Sequence, residues 1–239
     1  MSADLRILAL ETTGLSGSVA ALTGGEVIAH RGLAAGRRSA QSLAPGIADL
    51  LQQVGWKPTD VQLIAVTVGP GSFTGLRVGV TTAKTLAYAT GAAVLGVDTL
   101  AVIAAQSPAA VDKVWATFDA QRSELFVAQL QRTEAANPLA WQAAGPAKIV
   151  DAETWIANLA AGESISGPGL SRWQDRIPAS INVVPESLWQ PQAATVGQLA
   201  WQQYQAGQRQ DLWGLSPVYL RASAAEEKLA ATNTAPPID

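Results

Sequence analysis

Three segments carry residue types able to hold an anion or a metal-bound water. The first is Gly69-Pro70-Gly71-Ser72-Phe73-Thr74-Gly75, which joins a short apolar run to a helical pattern. Its glycines allow positive φ and close backbone approach to a ligand. The helix that follows offers unpaired N–H groups and the positive end of its dipole. Gly69, Gly71, Ser72, Thr74 and Gly75 are therefore candidate phosphate or nucleotide ligands. No Gly-Lys-Ser/Thr follows, and the third glycine falls one residue late for GxGxxG. A tight strand-to-helix turn capped by Ser72 or Thr74 accounts for the same residues.

The second segment is Glu11-Thr12-Thr13-Gly14, where an apolar run ends. An acid and two hydroxyls there can hold a phosphate or a metal-bound water, or form a self-satisfied turn. The third is Asp119, which ends a similar run in the second half. Two acids at equivalent strand ends suggest a shared cleft.

Other chemistries lack their residues. The chain has no cysteine and a single histidine, His30. Thiol nucleophiles, disulfides, thiolate metal sites and two-histidine zinc motifs are excluded, and a peptidase reading has too few ligands. His30 has no GxSxG elbow to serve and reads as a strand-end residue. Arg37-Arg38 reads as a solvated loop pair. No catalytic or metal-ligating set is assigned.

These residues need strands and helices to place them. Residues 5–11 (LRILALE), 17–23 (GSVAALT) and 26–31 (EVIAHR) read as an antiparallel meander, with Gly24-Gly25 as the hairpin turn. From Ser39, apolar residues recur three or four apart through Val54, predicting an amphipathic helix closed by Gly55. Pro45 must sit in its first turn or kink it. Residues 63–68 (LIAVTV) predict a buried central strand. A helix is expected over 76–90, stopped by Gly91, then a strand over 93–97 and a further helix. Apolar residues cover more than half the 76–90 helix, which calls for a second partner or extra internal burial.

The second half repeats the opening. Residues 114–119 and 124–130 predict a new strand pair, and Val127-Ala128 with Leu130 follow Asp119 at the spacings of Val19-Ala20 with Leu22 after Glu11. Helices are expected over 151–160, with Asp151 as N-cap, and over 195–205. Seven of the eight tryptophans lie beyond residue 110 and are expected to fill the second core. The expected organisation is a first lobe over 1–105, a second over 106–225 whose C-terminal helix is able to pack back on the first, and a tail over 226–239.

The 239-residue chain is 48% hydrophobic and 15% charged, which reads as globular. Its net charge of −3 divides into +1 for residues 1–105 (seven basic, six acidic) and −4 for 106–239 (nine basic, thirteen acidic). Neither half is a basic platform for unaided nucleic-acid binding. No charge-free apolar run reaches the ~18 residues of a membrane span, and the start of the sequence is unlike a signal peptide, so the cytosol is the expected location.

The meander, the Gly-Pro-Gly-Ser-Phe-Thr-Gly-Leu-Arg run at 69–77 and the Asp119-Ala120 strand end resemble the TsaB family, also called YeaZ. RRSAQSLAPGIADLL at 37–51, SGPGLSRW at 166–173 and PVYLR at 217–221 extend the resemblance over nearly the whole chain. It implies an α/β, actin-like or Hsp70-like ATPase (ribonuclease H-like) fold of two duplicated lobes, without independent catalysis. It further implies pairing with a larger homologue, TsaD, which carries a catalytic metal and transfers a threonylcarbamoyl group to the adenosine beside the tRNA anticodon. The implied interface is the helix pair 39–54 and 76–90, here Leu43, Ile47, Leu50, Leu51, Arg77, Val80 and Lys84. The same pair can support a homodimer. A small ATPase, TsaE, joins the assembly, tRNA is reached indirectly, and ATP or ADP is expected only in complex with the partner. Glu11 stands where the family usually has Asp, Ser39 where histidine is common, Val68 where a basic or polar residue is frequent, and Gln121 where Arg is usual. These departures argue against independent nucleotide or metal binding. The alternative is a stand-alone ATP-dependent transferase or kinase-like enzyme holding Mg-ATP between Glu11, Asp119 and the 69–75 loop.

Overall fold

The computed structural model describes residues 4–14, 17–33 and 39–221. Arg37-Arg38 and the tail over 226–239 lie outside the described residues. Two sheets form, each with the same connectivity. In the first, β1 (Arg6–Glu11), β2 (Ser18–Thr23) and β3 (Glu26–Gly32) make the meander. Helix α1 (Ser39–Gln53) leads to β4 (Leu63–Gly69), and α2 (Phe73–Thr90) leads to β5 (Ala93–Asp98). The strand order is β3-β2-β1-β4-β5, antiparallel on the β3 side of β1 and parallel on the other.

Successive side chains of β1 and β2 alternate between two faces, and both faces are buried. Leu8, Leu10, Val19 and Ala21 face α1 and α2, while Ile7, Ala9, Ala20 and Leu22 face the opposite way. Pro45 sits in the second turn of α1, and the helix continues through it. Helix α2 begins three residues before the expected start because Ser72 is its N-cap, accepting from the Gly75 N–H at 3.3 Å. Gly91, at φ 75°, ends it.

A short helix, α3 (Thr99–Ala105), joins the sheets. Its Val102 and Ala105 pack on the first, and its Leu100, Ile103 and Ala104 on the second. There β6 (Lys113–Gln121) and β7 (Glu124–Arg132) form the central hairpin. Both β8 (Trp141–Ala143) and β9 (Lys148–Asp151) pair with β7. After α4 (Ala152–Ala157), β10 (Ser164–Ser166) runs parallel to β6, and β11 (Asn182–Val183) runs parallel to β10. Asp151 caps α4, accepting from Thr154 N–H at 2.9 Å. The last helix, α5 (Ala193–Gln205), returns to the first sheet, where Ala193, Val196, Leu199 and Ala200 pack on Ile7, Ala9 and Leu22.

The halves share topology, yet no constant offset holds across both hairpin strands. Ala9 pairs with Ala20, but 108 residues on Thr117 pairs with Val127, not Ala128. The second hairpin is one residue shorter, and a one-residue slip exchanges the faces of a strand. The spacing match of Val127-Ala128 and Leu130 is therefore not a register match.

Trp115, Trp155 and Trp189 fill the outer layer of the second lobe as expected. Trp201 packs under the first sheet instead, and Trp213 is exposed.

Candidate functional site

The two lobes enclose a cleft of about 1000 Å³. The first lobe supplies Thr13–Gly14 and most of residues 70–77, and the second supplies residues 118–122 and parts of 168–172. Residues 218–221 run along its side. Thr13, Gly71, Ser72, Thr74 and Asp119 meet here, so three separated segments of the sequence do converge. Glu11, Thr12, Gly69 and Gly75 do not reach it.

Glu11 is fully buried. Its Oε1 accepts from the Thr13 backbone N–H at 2.7 Å and from the Thr13 hydroxyl. Its Oε2 has no partner. The Thr67 hydroxyl lies close enough to influence the carboxyl but completes no hydrogen bond. Burial pushes the Glu11 pKa up to about 7, partly opposed by the Thr13 and Thr67 groups.

Asp119 has a different environment. It is half-exposed in the cleft, and its carboxylate accepts from the Gln121 backbone N–H at 2.7 Å and the Gln121 side-chain amide at 3.1 Å. The hairpin slip puts the two acids on non-equivalent strand faces. They are not a pair.

The glycine loop is built for packing. A Cβ on Gly71 would stand 2.5 Å from the Thr13 Cβ, and one on Gly79 2.3 Å from the Thr12 hydroxyl oxygen. Thr12 donates its hydroxyl to the Gly75 carbonyl at 2.8 Å, and Ser72 N–H donates to the Thr13 carbonyl at 2.9 Å. The close approach made possible by glycine is thus to the chain's own Thr12-Thr13 turn, and two amides near the start of α2 are already used. A magnesium-nucleotide held between Glu11, Asp119 and this loop does not fit, because Glu11 lies beneath the turn and Asp119 alone faces the cleft.

Several cleft residues had no signal in the spacing. Arg122 lies in a hairpin whose residues Gln121, Arg122 and Ser123 have φ of 64°, 55° and 62°. Arg172 ends the 3-10 turn Pro168–Arg172. Gly167 permits that turn, since a Cβ there would meet the Thr117 carbonyl oxygen at 2.1 Å. Arg221 donates to the Ala120 carbonyl at 2.6 Å and pairs with Glu124. Arg77 lies 3.9 Å from the Phe73 ring centroid and donates through Nε to the Tyr219 hydroxyl at 3.1 Å.

The expected partner face divides in two. Leu43, Ile47, Leu50, Leu51 and Val80 all belong to the core between α1, α2 and the first sheet. Their apolar surface is spent internally, and Val78 and Leu86 pack against the same core. These five side chains cannot form an exposed docking face. Lys84 donates to the carbonyls of Trp213 and Leu215, both at 3.0 Å. With Arg77 it holds residues 213–219 along α2. The outward positions are instead Ala44 and Ala48 on α1 and Thr81, Thr85 and Tyr88 on α2.

His30 lies on β3, exposed at the edge of the first sheet and outside the cleft, with partial burial lowering its pKa. Among the described residues no three His, Asp or Glu side chains gather as metal ligands, and no helix is long and apolar enough to cross a membrane.

The chain is similar to known proteins over nearly its whole length. It is 32% identical to the tRNA threonylcarbamoyladenosine biosynthesis protein TsaB of Escherichia coli K12, covering 94% of this chain and 98% of that one. YeaZ from Pseudomonas aeruginosa superposes with a TM-score of 0.77 at 28% identity, covering 90% of this chain and 99% of that structure. A 64-residue stretch is 44% identical to the tRNA N6-adenosine threonylcarbamoyltransferase of Geotalea uraniireducens, covering 27% of this chain and 19% of that protein. The sequence model of the family described as TsaD, tRNA N6-adenosine threonylcarbamoyltransferase, matches residues 33–166. On the full-length similarity to TsaB, the superposition on YeaZ and the match to the TsaD family model, the chain belongs to the TsaB (YeaZ) family.

Proposed function

We propose that this protein is the non-catalytic subunit of a tRNA threonylcarbamoyladenosine biosynthesis assembly. It pairs with a TsaD-type threonylcarbamoyltransferase, which supplies the catalytic metal and most of the tRNA contacts. The observation that carries the reading is the sealed position of Glu11. The first-lobe acid of a two-lobed ATPase-like fold is buried under its own turn, so the fold is kept while the first-lobe half of a metal–phosphate site is lost. The acidic net charge of −3 agrees with a subunit that does not grip tRNA alone.

Partner docking uses the outward faces of α1 and α2. Ala44, Ala48, Thr81 and Thr85 are small and exposed, which lets another helix approach closely, and Tyr88 is an aromatic anchor of the type found at interface hot spots. A TsaE-type ATPase and a homodimer through the same helices belong to this reading, as does a cytoplasmic location.

The test is co-expression with the TsaD homologue of the same genome. The pair should co-purify, and tRNA modification reconstituted from purified components should require this chain. Modification that proceeds equally well without it would overturn the reading.

A further inference from the structure

Among the described residues the chain passes between the lobes at three places. Two of them form one joint. Helix α3 leads out of the first lobe, residues 188–193 lead back, and the Gln106 side chain fastens the two together. Its Nε2 donates to the Leu188 and Gln190 carbonyls at 2.9 and 2.8 Å, and its Oε1 accepts from the Gln192 N–H at 2.8 Å. Val102 and Ala105 of α3 and Ala193 of α5 pack with Ile7 and Ala9, so the joint lies on one face of the first sheet. The third passage, residues 210–221, lies on the other face, where its Leu215 shares the core of Leu8 and Leu10.

This third passage is fastened at both ends. On the first lobe, Gln210 bridges to Val94 of β5, and Lys84 holds the Trp213 and Leu215 carbonyls. The Val218 N–H donates to the Val68 carbonyl at 2.7 Å, and the Tyr219 ring lies 4.9 Å from that of Phe73. On the second lobe, Leu220 packs against the core of Phe118 and Phe126, and Arg221 bonds to the Ala120 carbonyl and pairs with Glu124. Tyr219 and Leu220 are neighbours in the chain. About 3.8 Å of backbone therefore separates a residue held by one lobe from a residue held by the other, which leaves no slack.

We infer that residues 210–221 are a clasp that locks the two lobes at one opening, so that the chain works as a rigid body and not as a hinge. Two-lobed folds close by rotation about a few connecting residues. Here joint and clasp grip opposite faces of the first sheet, and a rotation about the joint must pull on the clasp. A wider cleft requires release of Leu220 and Arg221, whose contacts are only partly buried and give way before either core does. The clasp is independent of partner docking.

Pulsed electron paramagnetic resonance on the full chain tests this. The chain has no cysteine, so Ala48→Cys on α1 and Asp175→Cys in the second lobe give one pair of spin-labelled positions, both exposed. The labelled parent should show a single narrow distance. Arg221→Ala and Leu220→Ser should each broaden that distribution about twofold, with the far-UV circular dichroism unchanged. Arg221→Lys keeps the charge and a donor and should stay close to the parent. Arg6→Ala removes an ion pair with Asp60 inside the first lobe and should change nothing. Several distances in the labelled parent would overturn the inference, since the lobes would then rotate with the clasp in place. So would a parent-like distribution in the Leu220→Ser, Arg221→Ala double variant, since the joint alone would then hold the lobes.

Discussion

Gly75 presses so closely on Thr12 that a Cβ on the glycine would stand 1.9 Å from the Thr12 carbonyl oxygen. The opposing atom is backbone, so it cannot move aside as a flexible side chain would. Gly75→Ala must separate α2 from the end of β1, breaking the bond from the Thr12 hydroxyl to the Gly75 carbonyl. A loss of roughly 2–4 kcal/mol is expected, at the upper end for a point substitution. Urea denaturation of the two proteins measures it. Equal midpoints would mean that the contact is not the reason for glycine here.

Glu11 should make stability depend on pH. Its pKa rises from an ordinary 4.5 to about 7 on folding. A raised carboxyl pKa means that the folded state binds the proton more tightly than the unfolded chain. Its favourable contribution is complete below about pH 4.5, declines as pH rises through about 7, and is then gone. The difference is roughly 3 kcal/mol. Glu11→Gln resembles the protonated acid and can donate toward Thr67. It should flatten the pH profile between these limits and be more stable than the parent protein at pH 8. A variant with the parent's pH slope would show that another group is responsible.

The segment after α5 is held to α2 by a few defined contacts. Leu215 is 1% exposed and joins the core under α1 and α2, and Lys84 caps its carbonyl and that of Trp213. Leu215→Ala should cost about 2–4 kcal/mol through the cavity it leaves. Lys84→Met should cost about 1 kcal/mol, because two carbonyls lose one donor. Both should speed amide exchange over residues 210–219 more than in β1 or β4. Unchanged exchange in that segment would mean that it is anchored by other contacts.

What the sequence revealed followed the physics of each element. β1 and β4 were legible as short apolar runs bounded by turn residues, α1 by its 3.6-residue period, and α2 by its end signals, Ser72 and Gly91. The cleft was half legible. The loop at 70–74, Thr13 and Asp119 announce themselves by residue type, and they do meet. The arginines that oppose them do not. Arg172 and Arg221 are placed by a 3-10 turn and an irregular segment, neither of which has a periodic signature. The misplacement of Glu11 had a different cause. A one-residue difference in hairpin length is invisible in composition, yet it decides which face a carboxylate takes. The resemblance places the interface on two helices, and the period that marks an amphipathic helix marks its buried stripe, here Leu43, Ile47, Leu50 and Val80, leaving the outward face without a periodic signal.

That last distinction separates a folding defect from a binding defect. Leu50 is fully buried beneath α1, whereas Ala48, two positions away on the same helix, faces outward. Leu50→Ala should destabilise the chain by about 2–5 kcal/mol and weaken TsaD capture only in proportion to the folded protein lost. Ala48→Glu should change stability by less than about 0.5 kcal/mol, since it touches no core atom. If a partner helix packs on this face, the added carboxylate must be desolvated against it, and capture should fall at least about tenfold while the circular dichroism and melting curve stay those of the parent. Pull-down by the tagged TsaD homologue, normalised to folded protein, reads both variants in one assay. Normal capture of folded Ala48→Glu would move the docking face off the outward side of α1.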